Sequence, residues 1–341
     1  MTENAPSRRP DGHPAAAHGR VGVLLVNLGT PDAPTTHAVR RFLAEFLSDP
    51  RVVNLPRALW LPVLYGVILN LRPARSAKAY EKIWTAEGSP LLRHTRAAAQ
   101  KLGIRMEDRA IVEFAMRYGS PSVRERIAAL MKAGADRILV LPMYPQYSQT
   151  TSASVADATF DALKGYNWQP ALRIAPPYHD DPAYIEALQS VAVSFLATLD
   201  WAPERVIISL HGAPKRHLAQ GDPYYCHCAK TARLIRKAMG WSEEFAPLAF
   251  QSKFGREEWL SPATDETIRA LASAGVKRIA VMTPGFTVDC LETLEEIAIV
   301  ARQAFLSRGG ENFAAIPCLN ASGPMIDLLE RIAVRETAGW L

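Results

Sequence analysis

Lys132-Ala133-Gly134-Ala135-Asp136-Arg137-Ile138-Leu139-Val140-Leu141 and Ser273-Ala274-Gly275-Val276-Lys277-Arg278-Ile279-Ala280-Val281-Met282 carry one pattern twice. Each ends in an apolar run without polar alternation, the signature of a strand buried on both faces. The second copy follows the first by about 141 residues, from 132 to 273. A second echo pairs Asn27-Leu28-Gly29-Thr30-Pro31 with Leu210-His211-Gly212-Ala213-Pro214. Its offset is about 183 residues, from 27 to 210. The chain is therefore read as two similar α/β units. The difference between the offsets assigns roughly 42 extra residues to the first unit, after its first strand.

The same criterion extends along the chain. Val21–Asn27, Ala110–Met116, Arg137–Leu141 and Leu172–Ile174 read as strands of the first unit. Val206–Leu210, Leu248–Gln251, Arg278–Met282 and Ala314–Cys318 read as strands of the second. Helical patterns lie between them at Ser122–Ala133, Ala183–Thr198, Thr264–Ala274 and Leu291–Phe305. Strand–helix alternation implies parallel sheets covered by helices, so the expected fold class is α/β with two similar Rossmann-like domains. The expected organisation is a disordered tail over residues 1–20, a first domain over 21–170 and a second over 171–322. Residues 323–341 are expected to return as a helix completing the first domain. The insertion, about 35–90, contains Ala58 to Leu71, the longest apolar stretch. At that length, and with Pro62 inside it, it is too short to span a bilayer at about 20 residues. It reads either as a core helix or as an exposed apolar lip beside a pocket; lying outside the repeated core favours the lip, with peripheral membrane contact as its role.

Composition narrows the function classes. The chain has 341 residues, 48% hydrophobic, with a formal net charge of +5. That charge suits an ordinary solvated surface or attraction to an anionic partner. No basic run with interleaved aromatics points to nucleic acid. Four cysteines at this length do not make a disulfide framework. The first twenty residues lack the apolar core of a secretory signal. A reduced, cytoplasmic setting is the expectation, which disfavours a periplasmic binding protein.

In open parallel sheets, ligands bind beyond the carboxyl ends of the strands. Neither G-x-G-x-x-G after the first strand nor a P-loop occurs, so nucleotide binding loses its usual warrants. H-E-x-x-H and zinc-finger cysteine spacing are also missing. His211 follows the strand Val206–Leu210 directly, where an imidazole can bind a metal or accept a proton. Beyond the strand Arg278–Met282, Asp289, Glu292, Glu295 and Glu296 open a helix. Asp289 and Glu292 have the spacing of a capping box. Glu292 and Glu296 share a helix face, which would also suit a carboxylate row guiding a cation or carrying protons.

These segments, taken in order, resemble the ferrochelatase family. The similarity begins with Leu24-Leu25-Val26-Asn27-Leu28-Gly29-Thr30-Pro31. It continues through Arg117-Tyr118, Tyr144-Pro145-Gln146-Tyr147-Ser148, Ser209-Leu210-His211-Gly212 and Gln251-Ser252-Lys253 with Trp259-Leu260. It ends with Pro284-Gly285-Phe286 and Asp289-Cys290-Leu291-Glu292-Thr293-Leu294. The resemblance implies a chelatase-like fold and insertion of Fe²⁺ into protoporphyrin IX as the last step of haem biosynthesis, with release of two protons. It implies that His211 and Glu292 are the paired catalytic and metal-binding residues. It places Leu28, Arg72, Tyr80, Ser89, Arg117, Tyr118, Tyr144, Trp259, Phe286 and Asp289 in the porphyrin pocket, Arg72 and Arg117 as propionate partners. The insertion matches the family's hydrophobic lip. Two departures stand out. Some relatives have His where this chain has Cys290. Some hold a [2Fe–2S] cluster, whereas here Gln149 stands where they can have Cys and no cysteine follows Cys318; a cluster, or any cofactor beyond substrate iron, is not expected. The alternatives are a chelatase for another ring or metal, such as coproporphyrin or cobalt, and a non-catalytic tetrapyrrole carrier.

Overall fold

Apolar runs that lack a polar face must be covered on both sides. The computed structural model, which describes residues 19–341 apart from Arg256, shows how this is done. Strands β1 (Arg20–Gly29), β2 (Ala110–Tyr118), β3 (Ala135–Pro142) and β4 (Ala171–Ile174) form a parallel sheet in the order β2-β1-β3-β4. Strands β5 (Arg205–His211), β6 (Leu248–Gln251), β7 (Arg278–Met282) and β8 (Asn312–Ala315) form a second in the order β6-β5-β7-β8. The two orders are the same, strand for strand, as the internal repeat requires.

Side chains alternate across each strand, and the core divides accordingly. Val23, Leu25, Leu139 and Leu141 of the first sheet share one cluster with Val206, Ile208, Leu210 and Met282 of the second. Their neighbours Leu24, Val26, Ile138 and Val140 face a separate cluster on the outer side of the first sheet. Ile207, Ile279 and Val281 do the same for the second. One continuous core thus joins the inner layers of both sheets. The helix Gly323–Glu336 belongs to that core through Met325, Leu328, Leu329 and Ile332, and packs on the helices Pro90–Arg105 and Pro182–Leu196 and on β3.

Three expectations are corrected. The last strand was expected over Ala314–Cys318 and lies at Asn312–Ala315; Pro317 lacks the N–H that would extend the ladder. A disordered tail was expected over residues 1–20, but Arg20 already belongs to β1; residues 1–18 lie outside the described residues. The helix expected over Leu291–Phe305 is a π-helix over Glu292–Ala301 continuing as α-helix over Arg302–Leu306. Two further π-helical segments occupy Leu64–Ile68 and Gln149–Ala153.

The inserted segment between β1 and the helix Pro90–Arg105 contains the helices Thr36–Ser48, Arg57–Val63 and Leu69–Ile83. Gly29 opens it with φ +113°, and a Cβ there would lie 1.8 Å from the Tyr118 carbonyl oxygen, so only glycine fits. A buried carboxylate ties the insertion to the sheet. Asp49 caps the end of Thr36–Ser48 and accepts hydrogen bonds from Arg117 (2.6 Å), Tyr118 Oη (2.7 Å) and Ser154 Oγ (2.5 Å). Burial raises the Asp49 pKa, but the bonds from Ser154 and Tyr118 and the Arg117 charge together hold it below the usual carboxylate value. Its stabilisation is therefore complete above the unfolded value of about 3.9 and is lost as pH falls through the lower folded value. Asp49→Asn leaves Arg117 without its counter-charge and is expected to cost about 3 kcal/mol. Urea midpoints should show that deficit at pH 7 and show it shrinking as pH drops below 4.

Candidate active site

In a sheet ordered β2-β1-β3-β4, the chain departs to opposite sides between β1 and β3, leaving a crevice at their carboxyl ends. The repeat supplies a second crevice between β5 and β7. The structure turns the two toward each other. Asn27 and Leu28 at the end of β1, and Met143 and Tyr144 after β3, line a cleft of about 860 Å³. His211 at the end of β5, and Gly285 and Phe286 after β7, line its other side. A smaller cavity of about 550 Å³ shares Leu28, Phe46, Leu91, Cys290 and Glu292 with it, so the two are lobes of one site.

His211 is half-buried, its ring 6.3 Å from that of Phe286. Its Nδ1 lies 2.6 Å from the Gly212 carbonyl oxygen. A carbonyl only accepts, so the neutral ring carries its proton on Nδ1 and keeps the Nε2 lone pair free. Tyr224, another wall residue, donates its hydroxyl to the His211 carbonyl at 2.9 Å. Gly212 is pressed against its surroundings: a Cβ would meet the Gln251 carbonyl oxygen at 2.7 Å and the Trp259 ring at 3.0 Å.

Glu292 lines both lobes and begins the π-helix. The expected capping box does not form. Asp289 instead accepts from Asn320 Nδ2 at 2.6 Å and from Thr293 Oγ1 at 2.9 Å. Thr293 in turn receives the Cys290 N–H, so this buried cluster fixes the start of the π-helix and leaves the Glu292 side chain to the cleft. The Gln251 side chain donates to the Glu292 carbonyl oxygen at 3.0 Å, tying β6 to the same point. One turn on, Glu296 receives the Ser252 backbone N–H at 2.7 Å and its hydroxyl at 2.6 Å. Ser252 pays for this with φ +65°, a strained conformation for a residue with a side chain. Burial pushes the Glu296 carboxyl pKa up; the nearby His211 opposes the shift and Glu292 adds to it. The imidazole and the two carboxylates therefore form one electrostatic group.

The residues expected in the site divide. Leu28, Tyr144 and Phe286 line the larger lobe; Leu28, Arg72, Tyr80 and Ser89 line the smaller. Burial lowers the Arg72 pKa while the Glu292 charge opposes that, and burial raises the Tyr80 phenol. Four expected pocket residues are not on the walls. Arg117 is committed to Asp49 and Ser154, and Tyr118 to the same pair. Trp259 stands behind Gly212, packed on Phe254. Asp289 is sealed in its hydrogen-bonded cluster. Wall residues missed in the sequence include Phe46, Thr150, Thr151 and Tyr224. Asp222-Pro223-Tyr224 has the look of a helix start, which would have signalled a buried turn there.

Two like parallel sheets facing each other across a cleft, with a histidine and a carboxylate on one side, define a chelatase-type protein. SirB from Bacillus subtilis with Fe³⁺ has the same fold at a TM-score of 0.56 and 11% identity, covering 94% of this chain and 96% of that one. CbiX, described as the terminal enzyme for siroheme biosynthesis in denitrifying bacteria, follows at a TM-score of 0.50 and 15% identity, covering 92% of this chain and 98% of that one. The ferrochelatase family model matches residues 20–337. A ferrochelatase from Agrobacterium fabrum is 52% identical over 98% of each chain, and one from Rhizobium meliloti 54% identical over 96% of this chain and 98% of its own. The chain belongs to the ferrochelatase family, enzymes that insert iron into porphyrin.

Gly212→Ala is expected to destabilise the protein by about 1–3 kcal/mol, because backbone and a packed indole must both yield. Thermal unfolding against wild type checks this, with a midpoint several degrees lower as the expected result.

Proposed function

We propose that this chain inserts Fe²⁺ into protoporphyrin IX to give protohaem and two protons, with His211 and Glu292 as the working pair. The observation that carries the reading is the convergence of an imidazole, its Nδ1 held by the Gly212 carbonyl, and a carboxylate on one apolar cleft. The free-base macrocycle must lose two pyrrole protons as the metal enters, so a base and a metal donor are needed together. His211 Nε2 is suited to take a pyrrole proton or to hold the ion. Glu292 offers an oxygen donor, and Fe²⁺ accepts both ligand types. Two protein donors leave coordination positions for the pyrrole nitrogens. Leu28, Tyr144 and Phe286 grip the flat ring through its apolar faces. Arg72, which lines the smaller lobe with Glu292 and keeps its side chain open to solvent, is the propionate partner we favour; Arg117, already paired with Asp49, is not.

The insertion forms an apolar rim. Leu59 is 69% and Leu71 72% exposed, with Val63, Tyr65 and Val67 also exposed. No helix among the described residues is long and apolar enough to cross a membrane. We assign this rim to peripheral contact with a lipid surface, where a sparingly soluble porphyrin would be met.

His211→Ala is expected to lower anaerobic iron insertion by at least about a hundredfold while porphyrin binding, followed by fluorescence quenching, changes little. Glu292→Gln should do the same. Porphyrin bound with no insertion by wild type would point to the carrier reading, and insertion preferring coproporphyrin or Co²⁺ to another chelatase. Leu59→Asp with Leu71→Asp should reduce co-sedimentation with anionic vesicles and leave turnover in detergent unchanged; unaltered co-sedimentation would count against the lipid contact.

A further inference from the structure

We propose that Asp222 is a positioning residue that sets the separation of the two walls of the cleft. The inference rests on the porphyrin reading of the site and adds a residue that is not on its walls.

Four consecutive positions of the first half are stitched to one face of the second. Gln146 Nε2 donates to Thr231 Oγ1 at 3.0 Å, the Tyr147 backbone N–H to His227 Nδ1 at 3.1 Å, and the Gln149 N–H and Ser148 hydroxyl to Asp222 Oδ2 at 2.8 and 3.1 Å. Asp222 differs from the other two acceptors in carrying a charge while buried, at 8% exposure. Among the described residues, that charge is met by N–H and O–H donors rather than by a lysine or arginine. The donors come from two helix starts, one in each half. Gln149 begins the π-helical turn that leads into Ser154–Leu163, and Tyr224, whose N–H reaches Asp222 Oδ1 at 3.0 Å, begins Tyr224–Met239. Both helix N-termini carry positive partial charge. One carboxylate thus draws two helix starts together across the seam.

Each start carries cleft wall. Ser148, Thr150 and Thr151 line one side, and Tyr224 the other, where its hydroxyl holds the His211 backbone. Their spacing is therefore governed by a charge outside the cleft. A flat ring fits a relaxed cleft; metal entry needs it held and bent. Loosening the walls should leave binding of the flat ring intact while removing strain that assists the reaction, which lowers kcat without raising KM. An asparagine at this position has one acceptor oxygen and an NH₂ that cannot receive the same N–H groups.

The test uses the full-length protein with protoporphyrin IX and Fe²⁺, comparing wild type, Asp222→Asn, Ser148→Ala and the double variant. Asp222→Asn is expected to lower kcat at least about tenfold with KM for porphyrin unchanged or lower. Ser148→Ala should lower it by a smaller factor, and the double variant should match Asp222→Asn, because both act through one contact. Resonance Raman spectra of the bound free-base porphyrin provide a readout that needs no iron. Out-of-plane bands should be strong in wild type and weakened in Asp222→Asn, and in Ser148→Ala alone if the aspartate variant does not fold. Equal bands in wild type and variants overturn the proposal, as does a kcat per folded molecule that matches wild type. If wild type binds porphyrin but inserts no iron, the functional reading fails on its own while the Raman comparison still decides the role of Asp222.

Discussion

Parallel strand pairing is the constraint from which the site follows. Parallel neighbours cannot be joined by tight turns, so every connection must cross over a face of the sheet, usually as a helix. That forces both strand faces to be apolar, which is why Val23, Leu24, Leu25 and Val26 are all buried. It also gathers all four carboxyl ends of each sheet on one edge, where connections splay between β1 and β3 and between β5 and β7. Duplication makes two such edges, and the shared core between the sheets fixes them face to face. The cleft is a consequence of how the sheets pack. Its chemistry comes from the few residues at the strand ends.

That division explains how much was legible beforehand. The eight strands, the repeat and the position of His211 follow from local pattern, because a doubly buried strand cannot hide its composition. The sheet orders are the same because the repeats are. The π-helix at Glu292–Ala301 was not legible: its apolar residues also suit an α-helix, and what sets its start is a contact between Asp289 and Asn320, thirty-one residues apart. The same holds for Arg117. Its sequence neighbourhood marks it as important, and only the fold reveals that Asp49, from the insertion, claims its guanidinium. Asp222 is not marked by its own neighbourhood, because its partners Ser148 and Gln149 lie across the seam between the halves.

Three buried aspartates have a common physical role. Asp49, Asp289 and Asp222 each gather donors from segments distant in sequence. A carboxylate offers two oxygens and about four acceptor sites, so it can join several elements at one point, and low local polarity strengthens each bond. Removing a single donor leaves the charge poorly compensated, which makes such joints rigid. The wall residues themselves are mostly apolar or neutral. Rigidity is built behind the cleft, and the cleft surface is left free for a large flat ligand.

The repeat also explains why the site is lopsided. A symmetric duplication would place equivalent residues after β1 and β5, yet Leu28 stands where His211 stands in the second half. The second half supplies the imidazole and the acidic π-helix, while the first supplies apolar surface and, through its insertion, Arg72 and the exposed rim. The imidazole and the acidic π-helix thus come from one half, while the insertion and much of the apolar surface come from the other. In the reaction proposed above, His211 and Glu292 would reach one face of a ring that the apolar surface holds from the other. Donors on both walls would instead compete for the ion and leave no apolar surface to hold the ring. The single large insertion, placed in one repeat only, is what turns a duplicated fold into a site with two unlike sides.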